Sequence, residues 1–398
     1  MKWYPFIRCK ERIEYLLMQP FVWWGKYLAK QSPLPEEYDV VCFFSGYAMG
    51  GAEKVNADVL ATLYDKRVLV FFTRHSANEA LKQLFEKPFA TLIDISSGTD
   101  NKYRYWSNFI WRGKCAAYIH AQQKIPTVFN GQNNFCYKLF PHLKSHVRKV
   151  ELIHVAEPTF AWVTHPYVPY IDVRVTPFLT IQKAFAAMYA KLSYPAHFLQ
   201  RWSIIANQTP IPETLHVQKP NEQLQVYYMG RGGPQKRVWL IDQIAAACAE
   251  AKLPVRFHVV GNIRQEFSKD AEHYITFHGM MTDPQQIQSF HEQMDVLLMT
   301  SAYEGFPLTV MEAMANAVLP MVTAVDEIPV HVHHMQNGWL LQQPKQESAV
   351  VADAVAAIET LVKDKTLVMH IQHQARLYAC QHFAPAQFQD AWRKLLLD

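Results

Sequence analysis

The chain has 398 residues and a mass of 46.1 kDa, which exceeds one ordinary hydrophobic core and predicts two or three domains. Half of the residues are hydrophobic, 19% are charged and only 14 are glycine, so the composition excludes a disordered, collagen-like or glycine-rich chain. The net charge of +4 divides unevenly, because residues 1–205 carry +10 and residues 206–398 carry −6. This asymmetry favours an anionic partner for the first half, either a membrane surface or a nucleic acid.

Cysteine spacing and the N-terminal sequence indicate the compartment. The six cysteines are scattered, with no C-x-x-C pair and no Cys/His cluster at metal-site spacing, so buried reduced thiols are expected. Arg8, Lys10 and Glu11 interrupt the apolar core that a signal peptide needs, and no apolar run approaches the ~20 residues that span a bilayer. We therefore expect a cytoplasmic protein.

Residues 1–32 form a basic aromatic arm. Its aromatic residues are Trp3, Tyr4, Phe6, Tyr15, Phe21, Trp23, Trp24 and Tyr27. The residues on one face of the predicted helix are Ile13, Leu16, Leu17 and Trp24. Pro20 should kink or divide that helix. Two interpretations stay open, namely peripheral contact with the cytoplasmic face of an anionic membrane, or amphipathic helices packed on the protein.

From residue 39 to residue 206, short β-rich runs alternate with helical patterns, which is typical of a parallel α/β sheet. The predicted strands are 39–45, 68–73, 91–95, 127–130, 151–154, 174–177 and 203–206, with a helix at 51–63. Residues 102–114 repeat the basic aromatic pattern of the arm, so the same two interpretations apply to them. Nucleic acid could stack on such residues, but no recognition motif supports it, and we expect no nucleic-acid partner.

A second α/β series follows a stretch with three prolines at 210–220. The predicted strands are 224–229, 256–260, 275–278, 296–300 and 320–323, and the predicted helices are 236–251, 284–293 and 307–316. Two successive sheets joined near residues 207–222 predict a two-lobed protein. Ligands of such sheets bind beyond the carboxyl ends of the strands, most naturally in a cleft between the lobes.

The first glycine motif, GYAMGGAEK at 46–54, follows the first predicted strand. Its glycines would let the backbone approach a diphosphate or an acceptor. A glycine turn that binds no ligand is an equally good interpretation of this segment alone.

The second motif, GRGGPQKR at 230–237, follows a strand and is predicted to open a helix. Glycines, free amides at a helix N-terminus and the charges of Arg231 and Lys236 together suit a phosphate. The spacing matches neither the dinucleotide fingerprint nor the P-loop. The alternative is an ordinary strand-to-helix turn with solvated basic residues.

The third motif, EGFPLTVME at 304–312, follows the strand predicted at 296–300. Pro307 suits the first turn of a helix, so the amides of 305–309 would lie at a positive helix end. Glu304 and Glu312 could then flank one cleft, where carboxylates suit paired sugar hydroxyls. Alternatively, both are solvated charges.

These motifs, together with Asn337-Gly338, resemble family-4 glycosyltransferases of the GT-B fold. The matching sequences are GGAEKV at 50–55, GR…K at 230–236 and EGFPLTVMEAMA at 304–315, which has the family's E-x7-E pattern. The resemblance is specific from about residue 225 to 341 and looser in the first half. It implies an α/β protein with two Rossmann-like domains that face each other across a cleft.

The expected domains follow from the pattern and the resemblance together. They are the arm at 1–32, an N-terminal acceptor-binding domain at 33–206, a linker at 207–222, a C-terminal nucleotide-sugar-binding domain at 223–380, and a helix at 381–398 that could cross back to the N-terminal domain.

The resemblance implies that a sugar moves from a nucleotide diphosphate donor to an acceptor with retention of configuration. It implies no bound metal and no cofactor, because the donor, a UDP or GDP sugar, is a co-substrate. The absence of a D-x-D motif agrees with this. We expect a glycan or lipid-linked glycan acceptor, as in bacterial-type lipopolysaccharide or surface polysaccharide assembly.

The resemblance also assigns roles to residues. Arg231 and Lys236 would neutralise the leaving diphosphate, Glu304 would bind sugar hydroxyls, and Glu312 would hold the ribose. The nucleotide-sugar-binding residues are expected to be Gly50, Gly51, Gly261, Met281, Thr282, Gly305, Phe306, Pro307, Leu308, Thr309 and Glu312. The base should lie near Gly261 and the loop 279–282. No nucleophile is nominated, because front-face attack guided by the leaving phosphate needs none.

Two departures from the family pattern leave questions open. A histidine near the reacting sugar would correspond to His154 here, or its place could be taken by Glu157; a structural histidine at a strand end is the alternative. The family's N-G at the lobe junction reads Asn207-Gln208, and its glycine pair near the sugar reads AVDE at 324–327, so the sugar stays unassigned. A nucleotide-sugar 2-epimerase and a non-catalytic glycan- or lipid-binding relative remain alternative functions.

Overall fold

The computed structural model describes residues 4–154, 163–213 and 222–398. They form two compact units. Unit 1 comprises the chain up to Ala206 together with Phe388–Asp398, and unit 2 comprises Asn207–Gln387. Trp3 of the arm, Glu157 and residues 214–221 of the expected linker lie outside the described residues.

Unit 1 contains a parallel sheet of seven strands among its described residues. They are β1 (Val40–Phe44), β2 (Val68–Phe72), β3 (Ala90–Asp94), β4 (Thr127–Gly131), β5 (Lys149–Leu152), β6 (Val173–Thr176) and β7 (Trp202–Ile204). Their order in the sheet is β3-β2-β1-β4-β5-β6-β7, so the direction of strand addition reverses between β1 and β4. Each strand predicted in this half is confirmed, with its ends shifted by two residues at most.

Helices cover the sheet of unit 1. They are α1 (Tyr4–Leu17), α2 (Gln19–Gln31), α3 (Gly51–Ala61), α4 (Lys82–Phe85), α5 (Ser96–Thr99), α6 (Tyr105–Ala121), α7 (Asn134–Leu139) and α8 (Leu179–Lys191). Strands β1 (VVCFF) and β2 (VLVFF) are buried at every position, as expected for a parallel sheet that is covered on both faces. Phe43 stacks on Phe71 with 5.1 Å between the ring centroids.

The arm forms two helices, and the predicted break at Pro20 is confirmed, because α1 ends at Leu17 and Pro20 lies in the first turn of α2. Helix α2 packs closely on α6. A Cβ atom built on Gly25 would overlap the carbonyl oxygen of Ile110, and one built on Gly113 would overlap that of Val22. The two backbones therefore approach each other at a crossing where only glycine fits.

Unit 2 contains a second parallel sheet, of six strands among its described residues. They are β8 (Leu224–Met229), β9 (Val255–Val260), β10 (Ile275–Phe277), β11 (Val296–Met299), β12 (Leu319–Thr323) and β13 (Trp339–Leu341). The order is β10-β9-β8-β11-β12-β13, so the direction of strand addition reverses between β8 and β11. The five strands predicted in this half are confirmed, and β13 is an additional one.

The helices of unit 2 are α9 (Trp239–Glu250), α10 (Pro284–His291), α11 (Leu308–Ala315), α12 (Ile328–His331), α13 (Glu347–Lys363) and α14 (Lys365–His382). The last helix, α15 (Pro385–Leu397), belongs to unit 1 from Phe388 onward. Trp392 of α15 is fully buried and packs edge-on against Phe129, with 5.3 Å between the ring centroids. Among the described residues, none of the helices has the length and apolar character to cross a membrane.

One helix prediction is wrong in a way that affects the site. The helix expected to open at Lys236 begins at Trp239. Gly233 has a φ of 105° and Arg237 a φ of 48°, both in the left-handed region, so the backbone turns twice before the helix begins. The amides of the glycine turn are therefore not those of a helix N-terminus.

Candidate functional site

The loops that follow β8, β9, β11 and β12 lie at one edge of the sheet in unit 2, because parallel strands end on the same side. Ligands of open parallel sheets bind at this edge, beside the pair of strands where the order reverses. Here that pair is β8 and β11, which are followed by the GRGGPQKR and EGFPLTVME motifs. The structure thus places the two motifs on neighbouring strands.

Glycines bring the loops after β8, β9 and β10 into direct contact. Gly230 and Gly261 have φ values of 157° and 138°. A Cβ atom on Gly261 would overlap the carbonyl oxygen of Gly230, so a larger residue would push the two loops apart. The amide of Gly261 donates to the carbonyl of Gly279, with N···O 2.7 Å, which connects the loop 279–282 to the same edge. Met281 is half-buried there and Thr282 is exposed.

A carboxylate already occupies the glycine turn. The amide of Gly233 donates to Glu266 Oε2 at 2.7 Å, and a Cβ atom on Gly232 would overlap the same carboxylate. Amides that point together at an anion are the chemistry that a phosphate site needs. Sequence reasoning missed Glu266, because it lies 33 residues from Gly233 and in no motif.

Lys236 and Glu304, which the sequence assigns to separate motifs, form an ion pair with Nζ···Oε1 2.5 Å. Their side chains are 13% and 9% exposed, so each charge has lost most of its water and depends on the other. The neighbouring loops are joined as well: Ala302 donates to the carbonyl of Gln235 at 2.8 Å. Arg231 lies on the same turn and donates to Gln235 Oε1 at 3.2 Å.

Arg237 anchors the Lys236 side of this pair. Its buried guanidinium donates to the carbonyls of Thr300, Ser301 and Pro344 at 2.7–3.0 Å. Burial lowers the pKa of Arg237, although the charge of Glu347 opposes this. The left-handed conformation at Arg237 sends its side chain into unit 2 while that of Lys236 reaches Glu304.

The loop after β12 anchors the Glu304 side. The amide of Glu304 donates to Asp326 Oδ2 at 2.8 Å, and Asp326 has a φ of 44°. The next residue, Glu327, is buried, with its carboxylate 3.6 Å from His331 Nε2. Asp326 and Glu327 both belong to AVDE at 324–327, the segment that departs from the glycine pair implied by the resemblance.

The segment that holds Gly305, Pro307 and Thr309 leads into helix α11, whose N-cap residue is Pro307 and whose first residue is Leu308. The side chain of Phe306 is buried against His331 and Phe383, with ring centroids 4.6 and 5.5 Å away. Its backbone is thereby held at the start of the helix. The residues of this segment are Gly305, Phe306, Pro307, Leu308 and Thr309.

Glu312 lies in the second turn of α11 and is half-buried. Burial raises the pKa of Tyr227 well above its usual value, and the charge of Glu312 adds to this. Tyr227 Oη is 2.9 Å from His291 Nδ1, whose pKa is lowered by burial in spite of Glu312. Glu312 therefore has a buried polar pair beside it, which the sequence did not predict.

In unit 1, the other predicted residues follow β1 and β5. Gly50 caps helix α3, which begins at Gly51. The amide of His154 donates to Gln132 Oε1 at 2.9 Å, and its Nε2 is buried without a hydrogen-bond partner among the described residues. Burial lowers the pKa of His154 to about 4, so the imidazole is neutral near pH 7.

Within residues 4–154, 163–213 and 222–398, no group of three or more His, Cys, Asp or Glu side chains could hold a metal ion.

Helix α1 of the arm turns its two glutamates toward the protein, while several large apolar side chains and its basic residues are exposed. Glu14 accepts from Lys138 at 3.0 Å and from Arg112 at 3.3 Å. Glu11 accepts from Tyr167 at 2.7 Å. Burial alone raises the pKa of Glu14, but the charges of Lys138 and Arg112 outweigh it and lower the pKa. Arg112, which belongs to the basic aromatic segment at 102–114, is therefore a buried partner of the arm.

We call the outward side of α1, α2 and the start of α6 the arm surface. Its exposed apolar and aromatic residues are Phe6, Ile13, Tyr15, Leu16, Leu17, Trp23, Trp24, Tyr27, Tyr103, Tyr105 and Trp106. Leu16 and Leu17 are 68% and 67% exposed, and Tyr103 is 83% exposed. Phe21 contacts Trp106, with 6.3 Å between the ring centroids, so α2 and α6 contribute to one surface.

The comparisons with known proteins agree with this architecture. Residues 223–364 match the family model described as Glycosyl transferases group 1. No curated protein matches the chain.

Solved structures resemble nearly the whole chain. HepE of Anabaena in complex with UDP-glucose has a TM-score of 0.69 and 16% identity, with 90% of this chain and 99% of HepE covered. The lipopolysaccharide outer core galactosyltransferase WaaB has a TM-score of 0.65 and 17% identity, with 89% and 98% covered. Sucrose-phosphate synthase from Thermosynechococcus elongatus has a TM-score of 0.65 and 15% identity, with 89% and 97% covered.

At these identities the structural similarity concerns the fold, whereas the family match concerns the segment that contains the Lys236–Glu304 pair. Together they agree with the site geometry at the β8–β11 edge. Residues 223–364 are therefore similar to the group 1 glycosyl transferases, and the described residues have the two Rossmann-like domains of the GT-B fold.

Proposed function

We propose that the protein transfers a sugar from a nucleotide diphosphate donor to a glycan or lipid-linked glycan, with retention of configuration, as family-4 glycosyltransferases do. The observation that carries the proposal is the Lys236–Glu304 pair at the β8–β11 edge, with Arg231 on the same turn. A cation suits the diphosphate and a carboxylate suits the sugar hydroxyls next to it.

In the proposed reaction, the bond between the anomeric carbon and the diphosphate oxygen breaks while an acceptor hydroxyl bonds to the same face of that carbon. The hydroxyl proton moves to the leaving phosphate, and the nucleoside diphosphate departs with the negative charge. Arg231 and Lys236 would stabilise this charge as it develops. No metal is required for this step, because the two cations take its electrostatic role.

The rest of the donor is assigned by the same reasoning. Glu312 would hold the ribose hydroxyls, and Gly261, Met281 and Thr282 would adjoin the base. The amides from Gly305 to Thr309 would surround the sugar and phosphate. The resemblance also assigns Gly50, Gly51 and His154 to the donor, the imidazole as a neutral hydrogen-bonding group because of its low pKa. The complexes of HepE with UDP and UDP-glucose favour uridine over guanosine as the base.

The acceptor class has indirect support. WaaB is described as a lipopolysaccharide outer core galactosyltransferase, and TarM was solved with a glycosylated glycerol and UDP. We propose an acceptor of the same kind, a surface glycan or its lipid-linked precursor, reached from the cytoplasmic side.

The decisive experiment measures donor turnover with a panel of UDP and GDP sugars, with and without lipid-linked acceptors. Wild type should transfer or slowly hydrolyse one of them, and Glu304→Gln should lose most of that activity. Glu359→Gln, an exposed carboxylate of α13, is the matched control and should behave as wild type. An altered nucleotide sugar formed without acceptor would identify a 2-epimerase. Acceptor binding with no turnover would identify a non-catalytic relative.

We also propose that the arm surface binds the anionic face of a membrane. Helix α1 exposes leucines while it buries two glutamates, an arrangement that costs free energy in water and is favourable in a bilayer interface. The exposed cations beside these residues are Arg8, Lys10, Arg12, Lys30, Lys102 and Arg104. Each such cation contributes about 1 kcal/mol next to anionic lipid.

Vesicle co-sedimentation tests this proposal. The double variant Leu16→Glu/Leu17→Glu should lose binding to phosphatidylglycerol vesicles, and deletion of residues 1–30 should do the same. Leu377→Glu, on the exposed side of α14, is the matched control and should bind as wild type does. Equal vesicle binding by wild type and the double variant would contradict the proposal that the arm surface binds the membrane.

A further inference from the structure

Asp326 has a backbone conformation that is uncommon for residues other than glycine. Its φ of 44° lies in the left-handed region, which glycine adopts freely and other residues rarely do. The side chain is exposed, so packing against the interior does not explain the conformation. Outliers of this kind are maintained where the surrounding structure uses them.

The carboxylate of Asp326 reaches the backbone of Glu304. Oδ2 accepts the Glu304 amide at 2.8 Å, across the gap between the loops that follow β11 and β12. The side chain of the same Glu304 accepts from Lys236 at 2.5 Å. Glu304 is therefore held at two points: Asp326 binds its amide and Lys236 binds its carboxylate.

The other half of the ion pair is held in a comparable way. Arg237 follows Lys236, also has a left-handed φ, and donates to carbonyls at the end of β11. A non-glycine residue with a left-handed φ therefore supports each member of the pair, Arg237 on the Lys236 side and Asp326 on the Glu304 side. Arg237 is buried, and its removal would disturb the interior, whereas Asp326 can be replaced at the surface.

We propose that Asp326 is a positioning residue for the transfer reaction: through the Glu304 amide it fixes the backbone from which the Glu304 carboxylate reaches Lys236 and the donor sugar. This inference rests on the proposed function. A carboxylate that is free to turn away from the sugar loses the alignment on which rate depends, while the diphosphate contacts of Arg231 and Lys236 remain. The effect should therefore fall on turnover more than on nucleotide affinity.

The test compares Asp326→Gly, Asp326→Ala and Asp326→Asn with wild type, using kcat and KM of donor turnover, the Kd of UDP and the melting temperature. Asparagine can accept the same hydrogen bond and tolerates the left-handed region, so Asp326→Asn should keep kcat within about twofold. Asp326→Gly and Asp326→Ala should lower kcat about tenfold or more, with the Kd of UDP changed less than about twofold. Glycine removes the backbone strain, so Asp326→Gly keeps the test valid if Asp326→Ala does not fold.

Lys252→Gly is the matched control, because Lys252 is an exposed residue of unit 2 with a φ of 54° that follows α9. It should leave kcat unchanged. Wild-type kcat in Asp326→Gly, or an Asp326→Asn variant as slow as Asp326→Gly, would overturn the inference alone. Absence of turnover in wild type with every donor would overturn the proposed function, and this inference with it.

Discussion

Arg174–Glu151 in unit 1 and Lys236–Glu304 in unit 2 are ion pairs with the same N···O separation of 2.5 Å. They differ in their place on the sheets. Glu151 and Arg174 are register partners within β5 and β6, with side chains 0% and 2% exposed. Lys236 and Glu304 lie in loops beyond the ends of β8 and β11.

The surroundings of the two pairs differ accordingly. The Arg174 guanidinium lies over the rings of Phe185 and Trp202, 5.3 and 5.2 Å from their centroids, and it donates to Tyr189 Oη. Glu151 accepts from Tyr137. Rings and backbone enclose this pair, whereas the Lys236–Glu304 pair retains solvent access. Because the two distances are equal, it is the position beyond the strand ends that makes the Lys236–Glu304 pair the candidate for a functional site.

The largest effect is expected from Glu151→Ala. It leaves the Arg174 charge buried without its partner, which should lower the free energy of unfolding by about 3–5 kcal/mol. Chemical denaturation measures this. Asp65→Asn, which breaks the surface pair with Arg393, is the control and should change stability far less. Equal losses in the two variants would contradict the structural role of the buried pair.

Lys236→Ala should have the opposite profile. Loss of a cation beside the developing charge should reduce kcat about 10²–10³-fold, while stability falls less than in Glu151→Ala, because the Glu304 carboxylate can hydrate. Donor turnover and melting temperature, measured on the same samples, check both parts. Lys269→Ala, at an exposed lysine of unit 2, should retain full turnover. A Lys236→Ala variant that loses stability but keeps full donor turnover would contradict this prediction.

A smaller effect concerns pH. Burial, aided by the charge of Arg174, lowers the pKa of His165 to about 4, against about 6.5 in an unfolded chain. The unfolded state therefore binds more protons between these values, so stability should fall as the pH drops from about 6.5 to about 4. His165→Phe removes the proton uptake by His165 on unfolding and keeps an aromatic ring against Tyr189. The melting temperature of this variant should therefore depend less on pH than that of wild type. Parallel curves for variant and wild type would contradict it.

The accuracy of the sequence-based predictions differs between local and distant features. Strand β8 was predicted with its observed bounds, because five apolar or aromatic residues, interrupted only by Gln225, end at a glycine. Lys236 and Glu304 were assigned to two motifs that each follow a strand, but the ion pair between them was not predicted. The predicted start of α9 was wrong by three residues. The backbone turns at Gly233 and Arg237 that delay the helix have no hydrophobic periodicity from which they could be predicted.

The amino-acid sequence by itself determined the two parallel sheets and the motifs at the edge of unit 2, because hydrophobic runs, glycines and charges are local signals. Only the tertiary structure decided which residues support those motifs. Glu266 and Asp326 lie 33 and 22 residues from the amides they accept, and no sequence period links such positions. The arm shows the same limit. Its sequence predicted the helices, but the face of α1 that contacts the protein depends on the bonds of Glu14 with Lys138 and Arg112, which lie over 90 residues further along the chain.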